Sequence, residues 1–369
     1  MAAHGVQPER LRRLFLELLD IDSPSGDERR LARTTMEWMR DAGFVCQLDP
    51  MLNVIAQRAG DVVDVPRIFF AAHTDTVAST AGLRVREVDG EFRTSGDTIL
   101  GADDKAAVAA ILEAMLAIHG SGAAVGDLQV VFTAQEELGL RGARALSPVI
   151  LAGSIGFVLD ASGPTGSWIS SAPFHDSLEV VIRARPADTR RETERVVSSI
   201  RATCLASMRL GAVDRSREGA VHSAASCADP APAEPGAGVL CFEARAPTRE
   251  ALDRQIRHMV LSLEQTAAET GAGVEIRRRA EYAGYSWNGD ERPIQLAEAA
   301  WRCLGRPPSS RPGDGGSDTN VFSARGIPSV TLTCGFRNQH TVDEAISMSE
   351  LTAAAEWVAS IIRTAAAPR

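Results

Sequence analysis

The chain has 369 residues, a formal net charge of −9, 44% hydrophobic and 24% charged residues. That length exceeds one ordinary core and points to two domains, with enough apolar residues to pack both. The acidic balance argues against nucleic acid or an anionic membrane as a partner, and no apolar run approaches the ~20 residues of a membrane-spanning helix.

Leu11, Leu14, Phe15, Leu18 and Leu19 recur at helical spacing and predict an amphipathic opening helix over 8–20. "DSPSGDERRLARTTMEWMRDAGF" predicts a turn, an acidic first turn and a second helix closed by Gly43. "RIFFAA" (67–72), "LQVVFTA" (128–134), "GFVLDA" (156–161) and "PSVTLTCG" (328–335) read as short buried strands. Helical stretches at 103–119 and 141–151 lie among them, and the alternation predicts an α/β sheet covered on both faces.

The texture changes between about residues 175 and 282. "DSLEVVIRARP", "GVLCFEARAP" and "EIRRRAEYAG" alternate like strands, with helices expected at roughly 189–208 and 248–270. This β-α-β-β-α-β-like order predicts an α+β, ferredoxin-like domain at 175–282, inserted into an α/β domain made of 1–174 and 283–369. "SCADPAPAEPGAG" is a Pro/Ala/Gly-rich loop within it, and "SMSELTAAAEWVASIIRTAAA" predicts a terminal helix. The N-terminal stretch has no apolar signal-peptide core, and the six cysteines (46, 204, 227, 241, 303, 334) are scattered without a CxxC. A cytoplasmic protein with free thiols is expected.

Acidic and imidazole residues cluster at the C-terminal ends of the expected strands, the edge where open α/β sheets bind ligands. "FFAAHTDTV" sets His73 and Asp75 two apart, on one side of a strand. They could be a metal ligand and the group that orients its ring, or a surface pair. Glu136 and Glu137 in "TAQEELGL" could equally be solvated loop charges, Asp160 in "FVLDASG" a turn residue, and His340 in "RNQHTVDE" a loop histidine. Together they form an oxygen and nitrogen donor set without Cys, suited to zinc, cobalt or manganese. Two metals need a bridging carboxylate, terminal ligands and a separate base, and the chain contains that inventory.

"AAHTDTV", "LGADDKAAVAAI", "TAQEELGLRGA", "VLDASG", "GGSDTNVFSARGIPSV" and "QHT" occur in one order along nearly the whole chain. In this the sequence resembles the di-zinc aminoacylase, carboxypeptidase G and peptidase T family, and most of all its peptidase T-like branch. The resemblance implies a mixed, mostly parallel sheet in the catalytic domain, and an inserted lid that commonly mediates a homodimer. It implies two Zn²⁺, with Co²⁺ or Mn²⁺ as substitutes, and a small peptide or N-acyl amino acid as substrate. His73 and Asp160 would hold one ion, Glu137 and His340 the other, and Asp103 of "ADDK" would bridge them. Asp75 would orient His73, and Glu136 would be the general base that moves a proton from the attacking water to the leaving amine. Asp104 would be a helix-start carboxylate, or one that supports the ligands from just outside them, with Lys105 alongside to balance charge, after a cis peptide that follows Asp103.

Arg245 in "FEARAP" matches a family arginine that grips the substrate's carboxylate, although a surface strand arginine explains it as well. Gly315 and Gly316 match a loop near the substrate, where they would allow close approach or simply make a turn. Against the branch's usual "AAHAG", with its oxyanion-stabilising histidine, this chain reads "RARPADTRR", with Pro186 or Asp188 at that place. The lid asparagine of a "TNxVP"-like turn is not recognisable either. His175 and His222 are candidate replacements or ordinary lid histidines. Three functions follow: a di-zinc amide hydrolase, a di-metal enzyme turned to a specialised biosynthetic step on an amide or amino-acid conjugate, and a catalytically weak metal-binding scaffold. Glu136 argues against the last, since a structural metal site needs no base.

Overall fold

The computed structural model describes residues 5–183, 204–205, 222–226 and 237–367, the five at 222–226 as backbone only. In chain order the first part runs α1 (Pro8–Leu19), α2 (Arg29–Asp41), β1 (Val45–Leu48), β2 (Val54–Arg58), β3 (Ile68–His73), β4 (Val85–Val88), β5 (Glu91–Thr94) and α3 (Ala102–Ser121). Then follow β6 (Leu128–Thr133), α4 (Arg141–Ala145), β7 (Ile155–Ala161), β8 (Ser167–Ala172), β9 (Phe174–Arg183), β10 (His222–Ser226), β11 (Ala237–Ala246), α5 (Arg249–Thr270) and β12 (Gly273–Tyr282). The chain closes with β13 (Tyr285–Ser286), α6 (Arg292–Cys303), β14 (Ser309–Pro312), α7 (Asp318–Ala324), β15 (Ser329–Thr333), β16 (Ala345–Ser347) and α8 (Met348–Ala366). It divides into two units, Met1–Ser170 with Ser286–Arg369, and Ser171–Tyr285.

The first unit is built on a mixed sheet in the order β1-β2-β6-β3-β7-β15-β8-β13, with β14 beside β8. Its centre, β6-β3-β7-β15, is parallel. The flanks pair antiparallel, β1 with β2, β2 with β6, and β15 with β8. The central strands are mostly apolar and buried at nearly every position because both faces are covered. Phe70 joins the main core and stacks on Phe157, while its neighbour Phe69 meets the Phe322 ring of α7 edge-on at 5.4 Å. Successive strand residues face opposite sides, so this pair reports two filled layers.

α3 has no polar face. Its alanines, with Ile111, Leu112 and Met115, are buried all round, as a central helix requires. Beyond its first turn, Glu113 is a buried charge that accepts from Arg10 Nε and Nη2 at 2.6 and 2.8 Å and from the Gln7 backbone N–H at 2.6 Å. This fork ties α1 to α3. A small sheet of β16, β5 and β4 adds the C-terminal part of the chain to the N-terminal part. Its strands are short and, in β4, exposed, so no alternation predicted them.

The expected helix at 141–151 is interrupted: α4 stops at Ala145, and a separate 3₁₀ turn spans Pro148–Leu151. Ser147 precedes a proline and is extended, with φ −64° and ψ 124°, which ends the helix. Nor does α2 begin with an acidic turn. Glu28 is its cap, and no acid lies in the first turn.

The inserted unit is a four-stranded antiparallel sheet in the order β10-β11-β9-β12. α5 covers one face, packing Leu252, Ile256, Met259 and Leu263 onto Leu178, Val180, Ile182, Leu240 and Phe242. The Thr248 side chain caps α5 by accepting from the Ala251 N–H at 3.1 Å. The β-α-β-β-α-β-like order calls for a strand before β11 without placing it, and β10 stands there. The helix expected at 189–208 lies outside the described residues except for 204–205, as do Pro186 and Asp188.

Glu113→Ala strands the Arg10 guanidinium and leaves the Gln7 N–H unpaired. Urea unfolding should show a loss of about 2–4 kcal/mol; a loss below 1 kcal/mol would show that the fork contributes little.

Candidate metal centre

Four adjacent parallel strands end at one edge, and each delivers a ligand-type residue there. β3 ends on His73, β6 runs on into Glu136 and Glu137, β7 carries Asp160, and the chain after β15 reaches His340. Asp103 and Asp104 open α3, where both depart from helical φ/ψ and the peptide between them is cis.

Asp103 stands between the two imidazoles. Its Oδ1 lies 3.1 Å from His73 Nε2 and its Oδ2 3.2 Å from His340 Nε2. His73 Nε2 is also 3.7 Å from Asp160 Oδ1, and His340 Nε2 is 2.8 Å from Glu137 Oε1. Two trios offer donor atoms within 4.8 Å of one another: His73 with Asp103 and Glu137, and His73 with Asp104 and Asp160. Asp104 is thus nearer the centre than a helix-start role requires. Its Oδ2 accepts the His73 backbone N–H at 3.1 Å, and its Oδ1 is buried without a hydrogen-bond partner.

The charges are badly matched within the protein alone. Burial pushes Asp104, Glu136 and Asp160 well above the usual carboxylate range, and neighbouring acids add to it against the pull of His73. Burial would depress His73, yet contacts with Asp103 and Asp75 hold it well above its ordinary value. Hydrogen bonds to Asp103 and Glu137 push His340 up to about 10. Crowded carboxylates and an orphaned buried oxygen, with imidazole as the only other donor, fit hard-to-borderline divalent cations.

Asp75 reaches further than His73. The ring Nδ1 is 2.9 Å from the Asp75 carbonyl oxygen and 3.5 Å from its carboxylate. The carboxylate instead accepts the backbone N–H groups of Glu136 and Glu137 at 2.9 and 3.2 Å, and the Ser25 hydroxyl at 2.7 Å. Glu28 adds to the same turn, accepting the Gln135 N–H at 3.1 Å. Lys105 does not pair with Asp104. Its Nζ donates to the Ile21 carbonyl at 2.6 Å, and Asp22 and Glu344 are the acids that act on it.

Asp318, at the start of α7, accepts from the Thr133 hydroxyl at 2.6 Å, and burial raises it to about 6. Gly315 and Gly316 lead into that helix, and a Cβ added at Gly315 would meet nothing within 4 Å. Arg245 lies on β11 of the inserted unit, directly across from His175 of β9, and Nη2 donates to Glu243 at 3.3 Å. His175 is buried, neither ring nitrogen has a hydrogen bond, and its ring meets Tyr282 edge-on at 4.9 Å. His222 is on β10, but its side chain lies outside the described residues.

Ser25, Glu28 and Glu344 were not picked out from sequence. They bond to groups far along the chain, Ser25 to the Asp75 carboxylate and the two glutamates to backbone N–H groups, and only Glu344, four residues after His340, sat near a motif.

A mixed sheet with an inserted α+β unit and a His/Asp/Glu centre at its parallel strand ends defines a class of metal-dependent hydrolase. The profile of "Peptidase family M20/M25/M40" matches residues 69–364. The chain belongs to this family and is a metal-dependent peptidase or amidohydrolase. It is 30% identical to the uncharacterized protein YqjE of Bacillus subtilis, over 98% of this chain and 100% of that one. The crystal structure of aminopeptidase PepT from Bacillus cereus superposes with a TM-score of 0.81 at 29% identity, covering 98% of this chain and all of the other. A tripeptidase from Staphylococcus aureus gives 0.85 at 29% identity, covering 98% and 99%. No helix among the described residues is long and apolar enough to cross a membrane.

If cations offset this crowding, they also stabilise the fold. Zn²⁺ held 100-fold above its dissociation constant should add about 2.7 kcal/mol per site over the chelated protein. Calorimetry with and without chelator checks this, and an unchanged Tm would remove the metal reading.

Proposed function

We propose that this protein is a di-zinc hydrolase that cleaves an amide bond of a small peptide or N-acyl amino acid, with Glu136 as general base. The observation that carries the reading is the symmetry about Asp103: one carboxylate oxygen faces His73 and its neighbour Asp160, the other faces His340 and its partner Glu137. Glu136 belongs to neither trio of metal-competent donors.

His73 and Asp160 would hold one cation, His340 and Glu137 the other, and Asp103 both, with Asp104 at hand beside the first. Two such ions polarise a scissile carbonyl and acidify water. The chain's own part is to place the base. The Asp75 carboxylate holds the consecutive N–H groups of Glu136 and Glu137, so base and ligand are fixed by one anchor. Glu136 takes a proton from the attacking water and delivers it to the leaving nitrogen, which departs as a neutral amine. Arg245 would receive the substrate's carboxylate through its guanidinium fork. The relatives named peptidase T, PepT and tripeptidase support a short-peptide substrate.

A second reading, a di-metal enzyme turned to a specialised step, draws support from the sequence alone. "RARPADTRR" has no histidine where the peptidase T-like branch has one. A screen over dipeptides, tripeptides and N-acyl amino acids separates the two: turnover of any supports the hydrolase, and a blank with two metals bound favours the second.

Glu136→Gln should lower kcat by about 10²–10⁴ with metal stoichiometry unchanged; wild-type turnover would remove Glu136 from its role. Arg245→Ala should raise KM for a substrate with a free carboxylate about tenfold or more, and leave its amidated analogue unaffected. Equal effects on both would assign Arg245 to the structure of the inserted unit.

A further inference from the structure

We infer that Glu344 is a positioning residue for the metal centre, a buried clamp that locks the Asp103 turn to the His340 loop. The inference rests on the di-metal reading above and adds a residue to it.

Glu344 is fully buried. Its Oε2 accepts the Gly101 N–H at 2.7 Å and its Oε1 the Asp103 N–H at 2.8 Å. One carboxylate therefore spans the turn that presents Asp103. Gly101 holds φ +77°, and a Cβ there would come within 3.3 Å of Thr76 and 3.4 Å of Thr80, so the turn is confined on its other side as well.

Glu344 belongs to the loop that carries His340. That loop is closed at its base by paired hydrogen bonds between Arg337 and Ala345, the residue after Glu344. Within it, Thr341 Oγ1 donates to the Asn338 carbonyl at 2.7 Å, Asn338 Nδ2 donates to the Asp343 carbonyl at 3.2 Å, and His340 holds φ +63°. The loop is thus a braced unit, and Glu344 is its bond to the Asp103 turn. His340 and Asp103 are 237 residues apart in sequence, since 340 − 103 = 237, yet their side chains meet at 3.2 Å. Glu344 supplies a backbone link at that junction, independent of any ion.

A capping role for α3 alone would predict something different. The carboxylate would then support the helix start, and its loss would lower stability with or without metal. A clamp acts on the geometry of two ligands. Glu344→Gln would still accept one N–H but turn its NH₂ towards the other, opening half of the clamp while keeping size and packing. Loss of such outer partners typically costs 10- to 100-fold in metal affinity.

The test titrates metal-free wild type, Glu344→Gln and Glu113→Gln with Co²⁺, followed by visible absorption, beside thermal unfolding of the metal-free proteins. Glu113 is the control, a buried carboxylate on the same helix whose partners are Gln7 and Arg10. Wild type should bind two Co²⁺ per chain; binding fewer would overturn the di-metal reading and this proposal with it. Glu344→Gln should weaken at least one equivalent by 10- to 100-fold, with a Tm loss no larger than that of Glu113→Gln, which should keep both affinities. Wild-type affinities in Glu344→Gln would overturn the clamp alone, as would a matching loss of affinity in Glu113→Gln. If Glu344→Gln does not fold, Glu344→Asp takes its place, keeping the charge but shortening the reach, with the same expectation and the same overturning result.

Discussion

The structure at the strand ends is governed by crowded negative charge. Asp103, Asp104, Glu136, Glu137 and Asp160 converge on two imidazoles, and three of these acids are pushed well above their usual range. Two carboxylates about 4 Å apart repel by roughly 4 kcal/mol at the effective dielectric of a protein surface, and Asp103 with Glu137 and Asp104 with Asp160 each bring oxygens within 4.8 Å. The fold tolerates this because the cost falls on a scaffold stabilised elsewhere. α3 is buried all round, and the central strands are covered on both faces. A loosely packed edge would relieve the crowding by moving apart. Here the parallel sheet holds it, and a rigid excess of carboxylate is what makes the edge a good host for divalent cations.

What was legible in the sequence follows from how each residue acts. Central strands could be read because burial on both faces leaves uninterrupted apolar runs such as "RIFFAA". His73, Asp103, Glu137, Asp160 and His340, which the structure brings together, could be singled out because acids and imidazoles are the donors an ion without thiolates needs, and each ends, follows or opens a regular element. Glu28, Ser25 and Glu344 were not. Each accepts from or donates to groups 50 or more residues away, in three cases a backbone N–H, and any sequence can supply an N–H. Lys105 was misjudged for a related reason. Adjacency to Asp104 in sequence set it on a different side of the helix start, where it meets Ile21 and the charges of Asp22 and Glu344.

Asp75 shows how much one position can carry when main chain and side chain do different work. From sequence its one expected task is to hold the His73 ring. In the structure the nearer contact to that ring is the Asp75 carbonyl oxygen, at 2.9 Å. This leaves the carboxylate free to collect the N–H groups of Glu136 and Glu137. The residues proposed as ligand, base and second ligand therefore share one anchor. A shift of Asp75 would move His73 against Glu136, so one residue ties the end of β3 to the turn after β6.

The two acidic doublets, "DD" and "EE", obey the same rule. Consecutive acids repel and cannot share a target, so each pair divides its labour. Asp103 faces both imidazoles, while Asp104 turns back to the His73 N–H. Glu137 pairs with His340, while Glu136 is raised first by burial and then feels Asp160, His73 and its neighbour Glu137. In both doublets the residue that faces both sides, or the far side, is fixed through its backbone N–H by a distant carboxylate, Glu344 for Asp103 and Asp75 for Glu137. The repulsion that made these doublets look unfavourable in sequence is thus put to use. It drives neighbouring side chains apart, and buried carboxylates elsewhere in the fold hold the backbone that keeps them so.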